Sequence, residues 1–576
     1  MGVGNATFRS AGQISQHVIP GGYSRISAPA GNVGGVNANR IVIVGQATGG
    51  KPNEVMWFTT INDAINTLRS GDLLDGVRFA LNAGGGLVPQ MVGAIRVNSA
   101  TQAVSTLQDA LSADVINLKS KDYGLHTNSI KYTISNATTT GKKIVVTKDG
   151  VSETIDNIFK ESIVITYTGD ATTAVLATTA TGLTITLAGD QTDGTLNASA
   201  LYSTYDTIEK LVGYLNSLAG YTVTLVDGVD GEDLSSELDI VSAISVLTAY
   251  TANSDGKAMV DAINNFSNYL EATAIVANYK PVVNVADVYL TGAVEGSAGS
   301  TEHTSALTTL EQEDVQAIAT TSGVYAIQAL YKTHVTAMNA VTGKKERQVY
   351  LGATSGDTLA TAIAEAKVKN ELAVCQMYCE FKDYDLNGVE KTYASPFFAC
   401  KMLGQFGALD IIQPHTFKEF SANSLVTKLT TSEKEEAIRG GLWVAEISPQ
   451  GTFRTVRSVT TYQKENLIYN ESSMVRTALY ASRDLRNYLE VSFVGQAGDT
   501  SVLASIETLT RTRLNSFRND LDLFVDNPNE GWNNEAWKNL VISVNGDQVS
   551  VTYDATVTAP INFVFITNQF GILVTL

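Results

Sequence analysis

Arg40-Ile-Val-Ile-Val-Gly45 reads as a buried strand, because four consecutive branched apolar residues leave it no polar face. Downstream, Thr60 with Asp63 three positions on resembles an N-cap, before a helix that carries Ile61, Ile65 and Leu68. Leu73 to Leu81 looks helical, Asn82-Ala-Gly-Gly-Gly86 interrupts it, and Met91-Val-Gly-Ala-Ile-Arg-Val97 is a second buried strand. Strand alternating with helix in this way predicts an α/β core beginning near residue 39.

Working outward, residues 1–38 scatter Gly, Asn, Ser and Ala among isolated apolar residues. They predict an arm that cannot bury itself, although Gln13-Ile-Ser-Gln-His-Val-Ile19 can serve as a strand if another sheet supplies its partner. From 120 to 300 the chain turns Thr-rich and alternating, as in Lys143-Ile-Val-Val-Thr147 and Ser162-Ile-Val-Ile-Thr-Tyr167, which predicts a β-rich peripheral insertion with a helix-like stretch from Thr207 to Leu218. The core is therefore expected in two parts, 39–119 and 301–424. The second part carries an expected helix from Leu310 to Thr320 and a strand at Gly323-Val-Tyr-Ala-Ile327. An α+β unit over 425–576 opens on a capping box at Ser432 and Glu435 and has helices near 475–490 and 501–522. It closes in a meander: Leu540-Val-Ile-Ser-Val544, the turn Asn545-Gly546, Val549-Ser-Val-Thr-Tyr553 and Ile561-Asn-Phe-Val-Phe-Ile566.

Composition narrows the function classes. At 576 residues the chain exceeds one core of about 100–200 residues. The 58 acidic against 40 basic residues give a net charge of −18, which repels a phosphate backbone, so no direct nucleic-acid partner is expected. The start, Met1-Gly-Val-Gly-Asn-Ala6, has neither a signal-peptide core nor a myristoylation hydroxyl, and no apolar run reaches about 18 residues, so neither secretion nor membrane insertion is expected. Three cysteines, Cys375, Cys379 and Cys400, make no disulfide framework, and Cys375 and Cys379 sit four apart, too far for a redox pair.

Motifs for chemistry are sparse. Gly45-Gln-Ala-Thr-Gly-Gly-Lys51 matches a P-loop in its glycines and lysine, but Pro52 stands where the magnesium-binding hydroxyl belongs. Asp383-Tyr-Asp-Leu-Asn-Gly388 opens like a calcium loop, yet its twelfth position is Ala394, and a hairpin turn through Asn387-Gly388 accounts for it better. Asp227, Asp230, Glu232 and Asp233 read as a solvated acidic turn. His17, His126, His303, His334 and His415 fit no zinc spacing. No nucleophile elbow occurs, so no catalytic residue, metal site or cofactor is assigned and no enzyme is expected. On the helix from Ser501 to Asp522, Val502, Ile506, Leu509 and Phe517 suggest a buried stripe, while Arg511 and Arg518 share an exposed face.

Several stretches resemble the contractile phage tail sheath family and the sheaths of R-type bacteriocins. They follow in order: Ile41 to Gly50, Phe79-Ala-Leu-Asn-Ala-Gly-Gly-Gly86, Gly93 to Val97, Lys119 to Lys131, Gly440-Gly-Leu-Trp-Val444, Thr452 to Thr461, Arg483-Asp-Leu-Arg-Asn-Tyr-Leu-Glu490 and Phe493-Val-Gly-Gln496. The resemblance implies an α/β and α+β multidomain structural protein of the virion, assembled in the bacterial host cytoplasm. Such subunits form hexameric rings stacked helically around a tail tube, with baseplate and tail terminator proteins as further partners. Terminal arms add strands to neighbouring subunits, which would place Ile14, Val18, Ile19, Phe563, Phe565 and Ile572 in strand exchange and leave Arg511 and Arg518 to face the tube. Contraction from a metastable extended state needs no nucleotide. Two rival readings are a β-rich surface or adhesion protein, which lacks its expected signal, and a P-loop enzyme, which Lys51→Ala would inactivate.

Overall fold

The computed structural model describes residues 37–564, apart from 190, 276–278, 465–466, 497 and 499, together with the strand segments 6–10 and 13–17. At its centre a seven-stranded sheet collects β1 (Ile41–Gly45), β2 (Val55–Phe58), β3 (Val92–Arg96), β4 (Ala317–Thr320), β5 (Gln348–Gly352), β6 (Val374–Met377) and β7 (Leu442–Trp443). Their spatial order is β7-β6-β5-β4-β1-β3-β2. All neighbours are parallel except β2, which runs antiparallel to β3 at the edge.

Successive side chains of β1 go to opposite faces, and both faces are covered, which is why Ile41 to Val44 show no alternation with polar residues. Ile41 and Ile43 pack with Ala317, Tyr350 and Met377 under α1 (Ile61–Leu68) and α2 (Asp72–Leu81). Val42 and Val44 face the other way with Ile318, Val349 and Val374, covered by α3 (Ser300–Gln312) and α4 (Tyr325–Met338). Farther along, α5 (Leu359–Lys369) packs beside β7, and α6 (Ser395–Ala408), buried on nearly every side, crosses α2 where Gly404 lies. A Cβ there would stand 2.1 Å from the carbonyl oxygen of Ala80, so the crossing requires glycine.

Between β3 and β4 the chain builds two further cores. The nearer one joins strands 104–108, 114–120 and 270–274 to the sheet 151–158, 142–148, 131–136 and 285–289, with the helix Asp255–Phe266 against Leu118, Ile134 and Ile144. The farther one, within 161–253, wraps a three-stranded and a four-stranded sheet around the helix Ile208–Asn216. Its chain enters and leaves side by side: the amide of Ser254 donates to the carbonyl of Lys160 at 2.7 Å, and the Ser162 and Ser254 hydroxyls meet at 2.8 Å.

After β6 and α6 come α7 (Thr431–Arg439), β7, α8 (Ser472–Phe493) and α9 (Thr500–Asn519), then a hairpin of β8 (Trp537–Asn545) and β9 (Gln548–Ala555). The hairpin turns at Gly546-Asp547, one residue beyond the expected Asn545-Gly546, with Asn545 still in β8 opposite Gln548.

Four further expectations are corrected. The helix expected at Leu310 to Thr320 is α3, ten residues earlier, because the Glu302 carboxylate accepts from the Gly299 amide at 2.8 Å and starts it there; Ala317–Thr320 is instead drawn between β1 and β5. The strand expected at Gly323 to Ile327 is the beginning of α4, whose Ile327, Tyr331 and Val335 recur every four residues against the sheet. The capping box is Thr430 with Glu433, not Ser432 with Glu435: Glu433 accepts from the Thr430 amide at 2.8 Å. Residues 561–564 form no third meander strand, since Asn562 is bonded instead to Glu471, and residues 565–566 lie outside the described residues. Among the described residues, no helix is long and apolar enough to cross a membrane.

Candidate assembly surfaces

The loop that mimics a P-loop is filled from within. The Asp122 carboxylate accepts from the Gly50 amide at 3.0 Å and from Tyr123 at 2.8 Å, where a phosphate would need free donors. Burial works against its charge, but hydrogen bonds from His126, Tyr123 and Gly50 outweigh that and hold the carboxyl below its ordinary range. The fully buried Arg96 caps the Gly50 carbonyl at 2.8 Å, and Lys51 turns outward to Glu54 at 2.6 Å. No helix follows until Ile61.

The calcium-like stretch is the turn of a hairpin between Phe381–Tyr384 and Glu390–Tyr393. Asp385 accepts from the Asn387 and Val389 amides at 2.9 Å and pairs with Lys391 at 2.7 Å. Asp383 pairs with Lys401 at 3.0 Å, a lysine seated between the Phe79 and Phe381 rings and pushed down to about 8 by burial, against the pull of Asp383. In the acidic turn, Asp233 pairs with Lys160 at 2.8 Å. Among the described residues no group of His, Cys, Asp and Glu is gathered to hold a metal ion.

Four histidines serve the interior or the joints of the fold. His303 meets Tyr331 at 2.8 Å, His334 meets Arg347 at 3.2 Å, and His415 donates to the Met402 carbonyl at 3.0 Å. Burial pushes His303 down to about 4 and the other two to about 3, so all three are neutral at physiological pH. His126 bonds Asp122 at 2.8 Å, and the side chain of His17 is outside the described residues. All three cysteines are free and buried, with thiols raised by burial, Cys375 to about 12.

The expected strand-exchange residues lie near the two termini. The segment Gln13–His17 pairs antiparallel with Ala6–Ser10 of its own arm, Ile14 opposite Arg9. Val18, Ile19, Phe565 and Ile572 lie outside the described residues. Phe563 is 68% exposed, beside the Arg457 guanidinium at 5.6 Å.

At the other end, the β8–β9 hairpin has two strands among the described residues, so each keeps an unpaired edge. Between it, α8 and α9 runs a groove of about 870 Å³, lined by Leu485, Leu489, Phe493, Leu503, Ile506 and Val551. Sequence reading missed this groove: the helix periodicity and the hairpin signal are each visible, but the gap between them is a tertiary fact. On α9 the buried residues are Ile506, Thr510, Leu514 and Phe517, with Val502 and Leu509 only half-buried. Arg511 and Arg518 are exposed as expected, and each is paired within the chain, Arg511 to Glu507 at 2.8 Å and Arg518 to Asp526 at 2.5 Å.

No family model matches the sequence. A tail sheath protein of Bacillus phage SP01 is 25% identical over 572 residues, covering 96% of this chain and 95% of that one. Its curated relatives are tail sheath proteins. A putative tail sheath protein of Enterococcus phage phiEF24C is 24% identical over 523 residues, covering 86% and 88%. Among solved structures, the sheath tail protein of Listeria innocua superposes with a TM-score of 0.54 at 13% identity, covering 90% of this chain and 95% of that one. That of Desulfitobacterium hafniense gives 0.52 at 11% identity, covering 93% and 100%. The sheath likeness thus spans the central sheet, the excursion after β3 and the C-terminal helices alike.

Proposed function

We propose that this chain is the sheath subunit of a contractile tail, a structural component of a virion rather than a catalyst. Similarity to tail sheath proteins along nearly the whole chain carries the reading. The loop and turn that mimic catalytic or metal motifs are closed by the chain's own side chains, whereas among the described residues a groove and open strand edges remain toward the C-terminal end.

In this reading the subunits form hexameric rings stacked helically around a tail tube, between baseplate and terminator proteins, assembled in the host cytoplasm. Residues 39–119 and 301–424 are the body, 120–300 the peripheral part, 425–576 the polymerising part and 1–38 the arm. An extended segment added to the edge of the hairpin would gain main-chain hydrogen bonds and set alternate side chains into the groove. Strands around Ile14, Val18 and Ile19, or around Phe563, Phe565 and Ile572, supplied by neighbouring copies, are the proposed occupants. Arg511 and Arg518 are proposed to face the tube, where pairs as exposed as theirs contribute about 0–1 kcal/mol each and release readily.

Electron microscopy of the purified chain, with and without residues 1–36, tests the reading. Striated tubes or rings from the full chain, lost on truncation, are expected. Monomers from the full chain even beside purified tail tubes would refute it.

A further inference from the structure

Helix α8 touches both halves of the proposed link. Toward its C-terminal end, Leu485, Leu489 and Phe493 wall the groove. Nearer its N-terminal end Arg476, and at its middle Arg483, hold the residues through which the arm joins the body. Arg483 donates to the carbonyl of Asn37, and Arg476 donates to the Asn39 side-chain oxygen at 2.8 Å. At 1.5 Å per residue, about 25 Å of one helix separates Arg476 from Phe493.

The hold on the arm root is dense. The Asn37 side chain donates to Asp314 at 2.7 Å, and the same Asp314 faces Arg483 at 3.5 Å. Ala38 packs on the cluster built by Tyr480, Ala481 and Leu485. The Arg40 amide donates to the Gln316 side chain at 2.9 Å, immediately before β1. Four successive residues, Asn37 to Arg40, are thus each fixed, and three of the fixing groups come from α8. The arginines themselves are immobilised: both are 5% exposed, and Arg476 also donates to the carbonyls of Phe406 and Leu409 at 3.0 Å while stacking 3.8 Å from the Phe406 ring. A planar guanidinium with its donors in a fixed fork can tie several chain segments in one geometry, which a flexible ammonium cannot.

The helix is fastened in turn between these two ends. Arg486 binds Glu346 and the Lys344 carbonyl, and Asp484 receives Arg513 of α9 at 2.5 and 2.6 Å.

We propose that Arg476 and Arg483 are positioning residues that set the direction in which residues 1–36 leave the body, so that the arm a subunit donates and the groove in which it receives one move with a single helix. This rests on the sheath reading above. A pull on the arm is then passed along α8 to the groove instead of being taken up by a slack linker.

The test uses the full chain, with Asp314→Ala, Arg483→Met and Arg483→Lys compared by hydrogen exchange, calorimetry and electron microscopy. The Asp314 side chain is 45% exposed and, besides the root, meets only the nearby Gln316 side chain among its hydrogen-bond partners, so its replacement is expected to leave the fold intact and loosen the root. Amide exchange at residues 37–40 is expected to rise at least tenfold in Asp314→Ala and Arg483→Met, with long ordered tubes giving way to short or irregular ones. Arg483→Lys is expected to fall between these and the parent. Unchanged exchange at 37–40 in both variants overturns the proposal, as does a lowered unfolding temperature without faster exchange there. If the parent chain forms no polymer even beside purified tail tubes, the sheath reading fails, while the exchange result still decides whether α8 anchors the arm.

Discussion

The central sheet and the C-terminal hairpin draw on the same β-branched vocabulary and put it to opposite ends. Ile41 to Val44 are fully buried, whereas Val541 and Val544 of β8 are 53% and 50% exposed. Both stretches are apolar enough to make strands, so the difference lies in what surrounds them: helices cover both faces of the sheet, and among the described residues the hairpin has α8 and α9 on one side and solvent on the other. The proposed sheath subunit, moving as a body while staying joined, would use both kinds of strand, one closed and one open.

The contrast breaks most sharply at Ile43. Ile43→Asp places an unpaired carboxylate between two covered faces, a cost beyond about 5 kcal/mol, and is expected to yield no folded protein by circular dichroism. Less drastic is acid. His303, His334 and His415 all sit in the body with folded values of about 3 to 4, below the ordinary 6.5. Between those values the unfolded chain binds more protons than the folded one, so stability falls as pH drops from 6.5 toward 4, by a few kcal/mol per histidine. Asp239, at the joint of the two outer cores, has the opposite sign. Burial pushes its carboxyl up to about 7 against the Asp255 and Gly256 amides, so its penalty is full above pH 7 and is relieved on acidification toward 3.8. Calorimetry at pH 7.5 and 5.5 is expected to show the body's transition moving down, with Asp239→Asn removing the outer joint's opposing response. The smallest effect is at the hairpin. Val544→Thr is expected to change monomer stability by under about 0.5 kcal/mol while lowering polymer yield.

Much of this was legible in the sequence, and the failures have physical causes. Ile41–Gly45, the Thr60 cap and, within one residue, the hairpin signal at Asn545-Gly546 are local, carried by residues that need no distant partner to declare themselves. Ala317–Thr320 is not local: four small or branched residues become a strand because β1 and β5 leave a place between them. Gly323 to Ile327 misleads because five residues are too few to separate a helical period from a strand. The stretch Arg483 to Glu490 reads as helix and as a family likeness, but nothing in it tells that Arg483, Asp484, Arg486 and Glu490 find their partners in Asn37, Arg513, Glu346 and Lys344, scattered across the chain. No spacing rule links position 483 to position 37.

The side-by-side crossing of Lys160 and Ser254 has a consequence for how such a chain can diversify. About ninety residues hang from two adjacent strands of chain, with their own core and their own helix. Exchanging that module asks that the newcomer's ends lie as close together and that it supply an acceptor for the Asp255 and Gly256 amides, so the position is a natural cassette, where a lineage or an engineer can swap an outer module without redesigning the sheet, the groove or the arm.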